Sequence, residues 1–211
     1  IIGDADTKKV TEELYHVDVN ALFPTIEAIF GKVYSILPDD IAIGDQIEIP
    51  LGDLGTFTAT VQMVKDDKVL FLFDDYIVKR PMNENGSNEG GYEKSDLKKW
   101  IENDLFKMFP KALRKHMTGL TIPTLGEICG WGDNWDKEHI EPDGDEQLPL
   151  MKQRRNRVAY YNNECSSGWL RNAMKKEFSS ASFADVGSFG NTIFSFASDS
   201  NGVRPEFWLV R

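Results

Sequence analysis

The stretch DSNGVRPEFWLVR, from Asp199 to Arg211, closes the sequence on a turn, an Arg-Pro step and then Phe207, Trp208, Leu209 and Val210. Chain ends are ordinarily the frayed, polar part of a domain. This one reads as a buried strand, so the fold is expected to close around it. Val203, Phe207, Trp208 and Leu209 are the expected packing residues, with Arg204 buried against a carboxylate or against carbonyls.

Strands are expected from Ile41 onward. In TFTATVQMV (56–64), Phe57, Ala59, Val61 and Met63 alternate with Thr56, Thr58, Thr60 and Gln62, the period of a half-buried strand. KDD makes a turn and KVLFLF returns as a more fully buried strand, so 56–73 reads as an antiparallel hairpin. NENGSNEGG (83–91) is a polar loop with no apolar residue to order it. A helix is expected over 92–109, with Ser95 as N-cap and Asp96 at the positive end of the dipole. Its face is Leu97, Trp100, Ile101, Leu105 and Met108. Pro110 ends it, and KALRKHM adds a second short helix. Beyond Gly119 helical spacing survives only in AMKKEF (173–178). The order hairpin, helix, loop-rich section and terminal strand predicts an α+β fold with antiparallel sheets and one or two helices. Residues 1–37 differ in character. They suggest one or two short helices, Asn20 an N-cap and Pro24 in the first turn, forming an extension that packs on the main domain (38–211) or serves assembly.

A formal net charge of −10 argues against a nucleic-acid or anionic-membrane surface, and the apolar runs are too short to span a bilayer. The expected partners therefore exclude nucleic acid, and no membrane insertion is expected. Cys129 and Cys165 are the only cysteines, neither a disulfide framework nor a metal site. His16, His116 and His139 are scattered. The acidic run 131–146, with Asp133, Asp136, Glu141, Asp143 and Asp145, could attract calcium but lacks the register of an EF-hand loop; it reads as a solvated loop. There is no phosphate-cradling glycine loop and no Gly-x-Ser-x-Gly elbow. No catalytic residue, metal or cofactor is expected.

One compositional feature stands out. The 28 residues from Phe178 to Pro205 hold no Lys, Glu, Gln, Met or Trp, types that make up 46 of the 211 residues, so about six were expected there. VAYYNN (158–163) has the same Ser/Phe/Asn/Tyr character. A Gly/Ser-rich loop region accounts for part of this bias.

Three blocks together, Ser95–Asn103, Trp169–Asn172 and Gly202–Leu209, resemble a family of uncharacterised bacterial and prophage domains. Its pattern is an SDLRKWLN-type helix, a WWLRS-type segment and a terminal GVRPALWL. Here Gly168 stands where the first Trp of the second block often lies, and IPTLGEICGW replaces an apolar strand. The resemblance covers roughly 41–211 and is similar to the C-type-lectin fold, which also houses the variable proteins of diversity-generating retroelements and the formylglycine-generating enzymes. In the variable proteins a reverse transcriptase alters adenines in selected codons. An AAC or AAT codon so altered never yields Lys, Glu, Gln, Met or Trp, the set missing from 178–205.

The resemblance implies a ligand-binding surface made of Tyr160, Tyr161, Asn162, Asn163, Ser166, Ser167, Phe183, Phe189, Asn191, Thr192, Phe194 and Ser195. Tyr, Ser, Gly and Asn on a rigid scaffold supply adaptable contact area. Alternation in NTIFSF allows at most half of its residues to be exposed. The expected function is a non-enzymatic binding protein displayed on a virion or cell surface, with an unknown protein or cell-surface ligand as partner. Two rivals stand beside it. One is a structural virion or surface component assembled through residues 1–37. The other is an enzyme of the formylglycine-generating type, with Cys165 or Cys129 as working thiol.

Overall fold

The computed structural model describes residues 37, 38 and 40–210. The helices expected within 1–37, with Asn20 and Pro24, and any assembly through them lie outside the described residues. The unit that carries the fold runs from Asp40 to Arg211.

It is an α+β fold built on two five-stranded sheets. The first sheet contains β1 (Gln46–Pro50), β2 (Thr56–Val64), β3 (Lys68–Phe73), β5 (Met117–Thr121) and β12 (Glu206–Val210), in the order β1-β2-β3-β12-β5. Every pairing in it is antiparallel. The second contains β4 (Val78–Arg80), β8 (Gly168–Ala173), β9 (Ser182–Val186), β10 (Thr192–Phe196) and β11 (Asn201–Val203), in the order β10-β9-β8-β11-β4. Only the single β8–β11 bridge is parallel. A separate hairpin joins β6 (Ala159–Tyr161) to β7 (Glu164–Ser166).

The β2–β3 hairpin forms as expected, and β3 shows why KVLFLF is apolar throughout. Leu70 and Leu72 face a core shared with Leu125, Ile128, Leu148, Leu170, Ala184 and Val186. Phe71 and Phe73 point the other way, into an aromatic block with Phe109 and Phe207. Both faces are buried, each Phe contributing about 1.5–3 kcal/mol. The alternation expected in β2 is broken by a bulge between Val61 and Met63. Gln62 is thereby buried, its amide donating to the Thr60 carbonyl at 3.2 Å.

The long helix α1 runs without a break through Asp96–Trp100, a π-helical Ile101–Leu105 and Phe106–Met108. Ser95 caps it, Oγ accepting from the Lys98 amide at 3.0 Å, and Leu97, Ile101 and Leu105 are buried. The short α2 (Lys111–Arg114) follows Pro110. Two further helices, α3 (Leu125–Ile128) and α4 (Asn134–His139), exceed the one or two expected. Conversely, AMKKEF is not helical: Ala173 ends β8 and Met174 makes a lone bridge to Ile140 before a turn. Met174 is held on the sheet by the core that buries it, which overrides the local spacing.

The terminal segment does more than fill a core. Between β3 and β4 the chain crosses from the first sheet to the second, and between β11 and β12 it crosses back alongside. The two crossings are bonded to each other, Phe73 N–H to the Pro205 carbonyl and Ile77 N–H to the Val203 carbonyl, both at 3.0 Å. Arg204 is buried in that corner, its Nε donating to the Phe73 carbonyl at 2.6 Å. Of the two partners expected for Arg204, the bonds go to carbonyls. GVRPEFW is thus the clasp that holds two sheets together. Tyr76 lies in the same corner, its ring over Gly168 and Gly202, where an added Cβ would collide with it. Gly168 therefore leaves no room for the Trp that the resemblance would place there.

Candidate functional site

The polar loop 83–91 is ordered, although it has nothing apolar to order it. Asn88 Nδ2 lies within 3.0 Å of the carbonyls of Met174, Ser179 and Ser182. This ties the loop to the turn that precedes β9 and steadies the sheet bearing the expected binding residues.

Eleven of the twelve expected residues separate into two groups at opposite edges of the second sheet. Tyr160, Tyr161, Asn162, Asn163, Ser166 and Ser167 belong to the β6–β7 hairpin and its exit. Tyr160 is 45% exposed, and Lys79 of β4 sits 5.4 Å from the Tyr161 ring. Asn162 and Asn163 form the two-residue turn, with φ of 52° and 65°, the left-handed pair that such hairpins require. Ser166 and Ser167 are half-buried, and the Ser167 carbonyl accepts from Gly202 at 2.9 Å. Phe189, Asn191, Thr192, Phe194 and Ser195 lie on or beside β10, at the far edge. β9, β8 and β11 separate that edge from β4, roughly 19 Å by strand spacing.

Phe183 is a correction. It is wholly buried in β9, edge-on to Trp169 at 6.5 Å. β9 is an inner strand covered on both faces, so Phe183 cannot reach a ligand. Ser195 also points inward, Oγ donating to Asp185 at 2.8 Å.

Around β10 the structure assembles a platform that the sequence reading did not contain. Trp135 and His139, one turn apart on α4, stack at 4.6 Å. Phe194 stacks on Trp135 at 5.8 Å and 15°. Phe178 stands edge-on to all three. Such ring pairs add about 0.5–1.5 kcal/mol beyond area burial. Trp135 nevertheless stays 37% exposed and Phe194 42%. Beside the platform opens a cleft of about 620 Å³, lined by Cys129, Asp136, Arg154, Arg157, Thr192 and Phe194 among others. Arg154 Nε donates to the Phe189 carbonyl at 2.9 Å and Arg157 Nε to Met151 at 2.8 Å, so both guanidinium groups are held in place. Thr192 Oγ1 donates to Asp136 at 3.1 Å. Burial pushes the Asp136 carboxyl up. It pushes the Cys129 thiol up too, against opposing bonds from Thr192 and Arg157.

The acidic run is largely exposed, Asp133, Glu141 and Asp145 included, but it carries α4 and is not wholly a loop. Asp133 caps α4 through the Trp135 amide at 2.8 Å. Asp143 accepts from the Gly126 amide, Trp131 Nε1 and Asn172 Nδ2, each at 2.9 Å. Burial raises its pKa, but those bonds outweigh burial and hold it below its ordinary value. Among the described residues no three His, Cys, Asp or Glu side chains are grouped to hold a metal. Both cysteines are free thiols, and no described helix is long and apolar enough to cross a membrane.

A model of a domain of unknown function, DUF6273, matches residues 66–141, from the turn before β3 through α4. The β6–β7 hairpin and β10 fall outside the matched stretch. No curated protein and no solved structure matches the chain.

Proposed function

We propose that this chain is a non-enzymatic binding protein on a C-type-lectin-like scaffold, displayed on a virion or cell surface. Its ligand is a protein or other cell-surface molecule, and its variable residues are diversified by a retroelement. The observation that carries the reading is β10. It is an edge strand whose Phe194 and Phe196 are 42% and 60% exposed, beside Phe189 at 79%. Natural edges are blunted with charge, proline or a bulge; TIFSF has none of these. Exposed aromatic anchors beside a cleft have the make-up of a binding hot spot. The exposed platform also favours a binding role over a purely structural one. A thiol pushed upward by burial, as Cys129 is, is a poor nucleophile at neutral pH, which weighs against Cys129 as a working thiol.

Two experiments test this. The first is deep sequencing of the 3′ end of the gene in its source population. The expected result is adenine-directed substitution at codons for residues such as the exposed Tyr160 and Phe194 and the half-buried Asn191, sparing Phe183 and Trp169. A uniform 3′ end removes the diversification. The second is binding of labelled protein to cells of the source community. Trp135→Ala and Phe194→Ala should each weaken it at least tenfold, and Cys129→Ser and Cys165→Ser should leave it unchanged. Loss on a Cys→Ser change with the aromatic variants intact would overturn the reading.

A further inference from the structure

The first sheet carries a second cleft that the aromatic platform does not use. Alternation along β12 sends Phe207 and Leu209 into the aromatic block and Glu206 and Trp208 to the opposite face. There they line a space of about 500 Å³, together with residues of α1, β5 and β8 and of the loop before Leu148. Six carboxylates border it, those of Glu93, Glu102, Glu127, Asp145, Glu146 and Glu206, against three cations, Lys65, Lys98 and Arg171.

Glu206 is only 3% exposed. Arg171 Nη2 lies 2.8 Å from Glu127 Oε2 and 3.3 Å from Glu206 Oε1. Glu206 Oε2 has no hydrogen-bond partner. A buried carboxylate needs a full set of partners to repay its desolvation. Glu127 and Glu206 share a single guanidinium, so when both are ionised this corner of the cleft is one positive charge short. Beside it, the Trp208 indole already attracts cations: Lys65 and Lys68 place their ammonium groups 4.9 and 4.6 Å from its centroid. Negative counter-charge and a π face together are what a desolvated organic cation requires.

We propose that this cleft is a second binding site, for an alkylammonium or guanidinium group, with the Glu206 and Glu127 carboxylates as its counter-charges and the Trp208 indole as its side wall. Lys65 borders the cleft and occupies the indole in the meantime, so it competes with the ligand. Glu206 must be ionised to pair with a cation. Burial and the neighbouring Glu127 raise its pKa, with Asp145 adding in the same direction and Arg171 opposing them, so binding strengthens as pH rises.

The test uses the full chain and three probes, N-acetyl-arginine amide, N-acetyl-lysine amide and the neutral N-acetyl-norleucine amide, followed by calorimetry and tryptophan fluorescence at pH 6 and 8. The expected result is saturable binding of at least one cationic amide, tighter at pH 8, and none of the neutral one. Whichever cation binds more tightly assigns the head group. Glu206→Gln keeps the Arg171 contact and should weaken binding at least tenfold with its thermal melt retained. Lys65→Met should tighten binding about threefold or more, a gain that loss of structure cannot mimic. Equal binding of the norleucine amide, no saturable binding of either cation, or weaker binding by Lys65→Met would overturn the proposal.

Discussion

Replacing Asp185 by Asn should remove most of one pH-dependent loss of stability. Asp185 lies on β9 with no measurable exposure. Its Oδ2 accepts from Ser195 Oγ and Asn201 Nδ2, both at 2.8 Å, and its Oδ1 has no partner. Burial, with a smaller push from Asp199, raises its pKa from 3.8 to about 7, against the Ser195 bond. The folded state therefore holds the proton more tightly than the unfolded chain. Stability from this group is complete below the unfolded value and is lost as pH rises towards and through the folded one. About three pK units correspond to roughly 4 kcal/mol between the two limits, of which about 2–3 kcal/mol falls between pH 5 and pH 8. Asn keeps the shape and one acceptor oxygen without the charge. Urea unfolding followed by tryptophan fluorescence at both pH values should show the stability of the variant relative to wild type rising by about 2–3 kcal/mol from pH 5 to pH 8. Glu206, Asp74 and Asp136 also have raised values and slope the wild-type curve in the same direction. The measurement is therefore the difference between the two proteins, in which those groups cancel. If the difference between Asp185→Asn and wild type changes by less than about 0.5 kcal/mol from pH 5 to pH 8, the group is not a strained buried acid and the reasoning fails.

Gly168→Ala and Gly202→Ala should each cost about 1–3 kcal/mol, because a Cβ at either position meets the Tyr76 ring. Tyr76→Ala in the same chain should return much of the Gly168→Ala cost in a double-mutant cycle, and Gly132→Ala, with open space around it, should stay within about 0.5 kcal/mol. Asn88→Ala removes the donor shared by three carbonyls and should cost about 1–3 kcal/mol, with hydrogen exchange accelerated in 83–91 and 174–182; unchanged exchange would show that the loop is ordered by other means.

What the sequence disclosed was local. The β2–β3 hairpin, the Ser95 cap and the burial of Phe207 and Leu209 are written in neighbouring residues, whose spacing sets which face is apolar. The aromatic platform is not, because Trp135, His139, Phe178 and Phe194 meet only once β8, β9 and β10 have paired. Half of it was nonetheless readable: DNWDKEH carries an N-cap Asp followed by aromatic rings four residues apart on one helical face. Phe183 was misassigned because an inner strand covered on both faces shows no polar alternation to mark its orientation. Asn162 and Asn163, expected as ligand contacts, have a structural reason to be there as well: their positive φ closes a hairpin that the two-residue spacing in YYNNEC announces.

The missing residue types of 178–205 carry different weight at different positions. Twelve of the 28 residues are buried, mostly in β9 and in the clasp at Gly202–Pro205, where Lys, Glu and Gln are disfavoured in any protein. Burial explains their absence there and says nothing about diversification. It does not explain β10 and its flanks. At an exposed edge, Lys is the residue that blocks unwanted pairing, yet Phe189, Phe194 and Phe196 face solvent there. An edge of that kind, left uncovered, invites association with other strands. Covering it with a ligand resolves the conflict between composition and exposure, and the neighbouring cleft gives the ligand a place to seat. The exposed residues around β10, rather than the whole window, are therefore the ones whose codons bear on the proposal. Variation spread evenly over buried and exposed codons alike would count against it as surely as no variation at all.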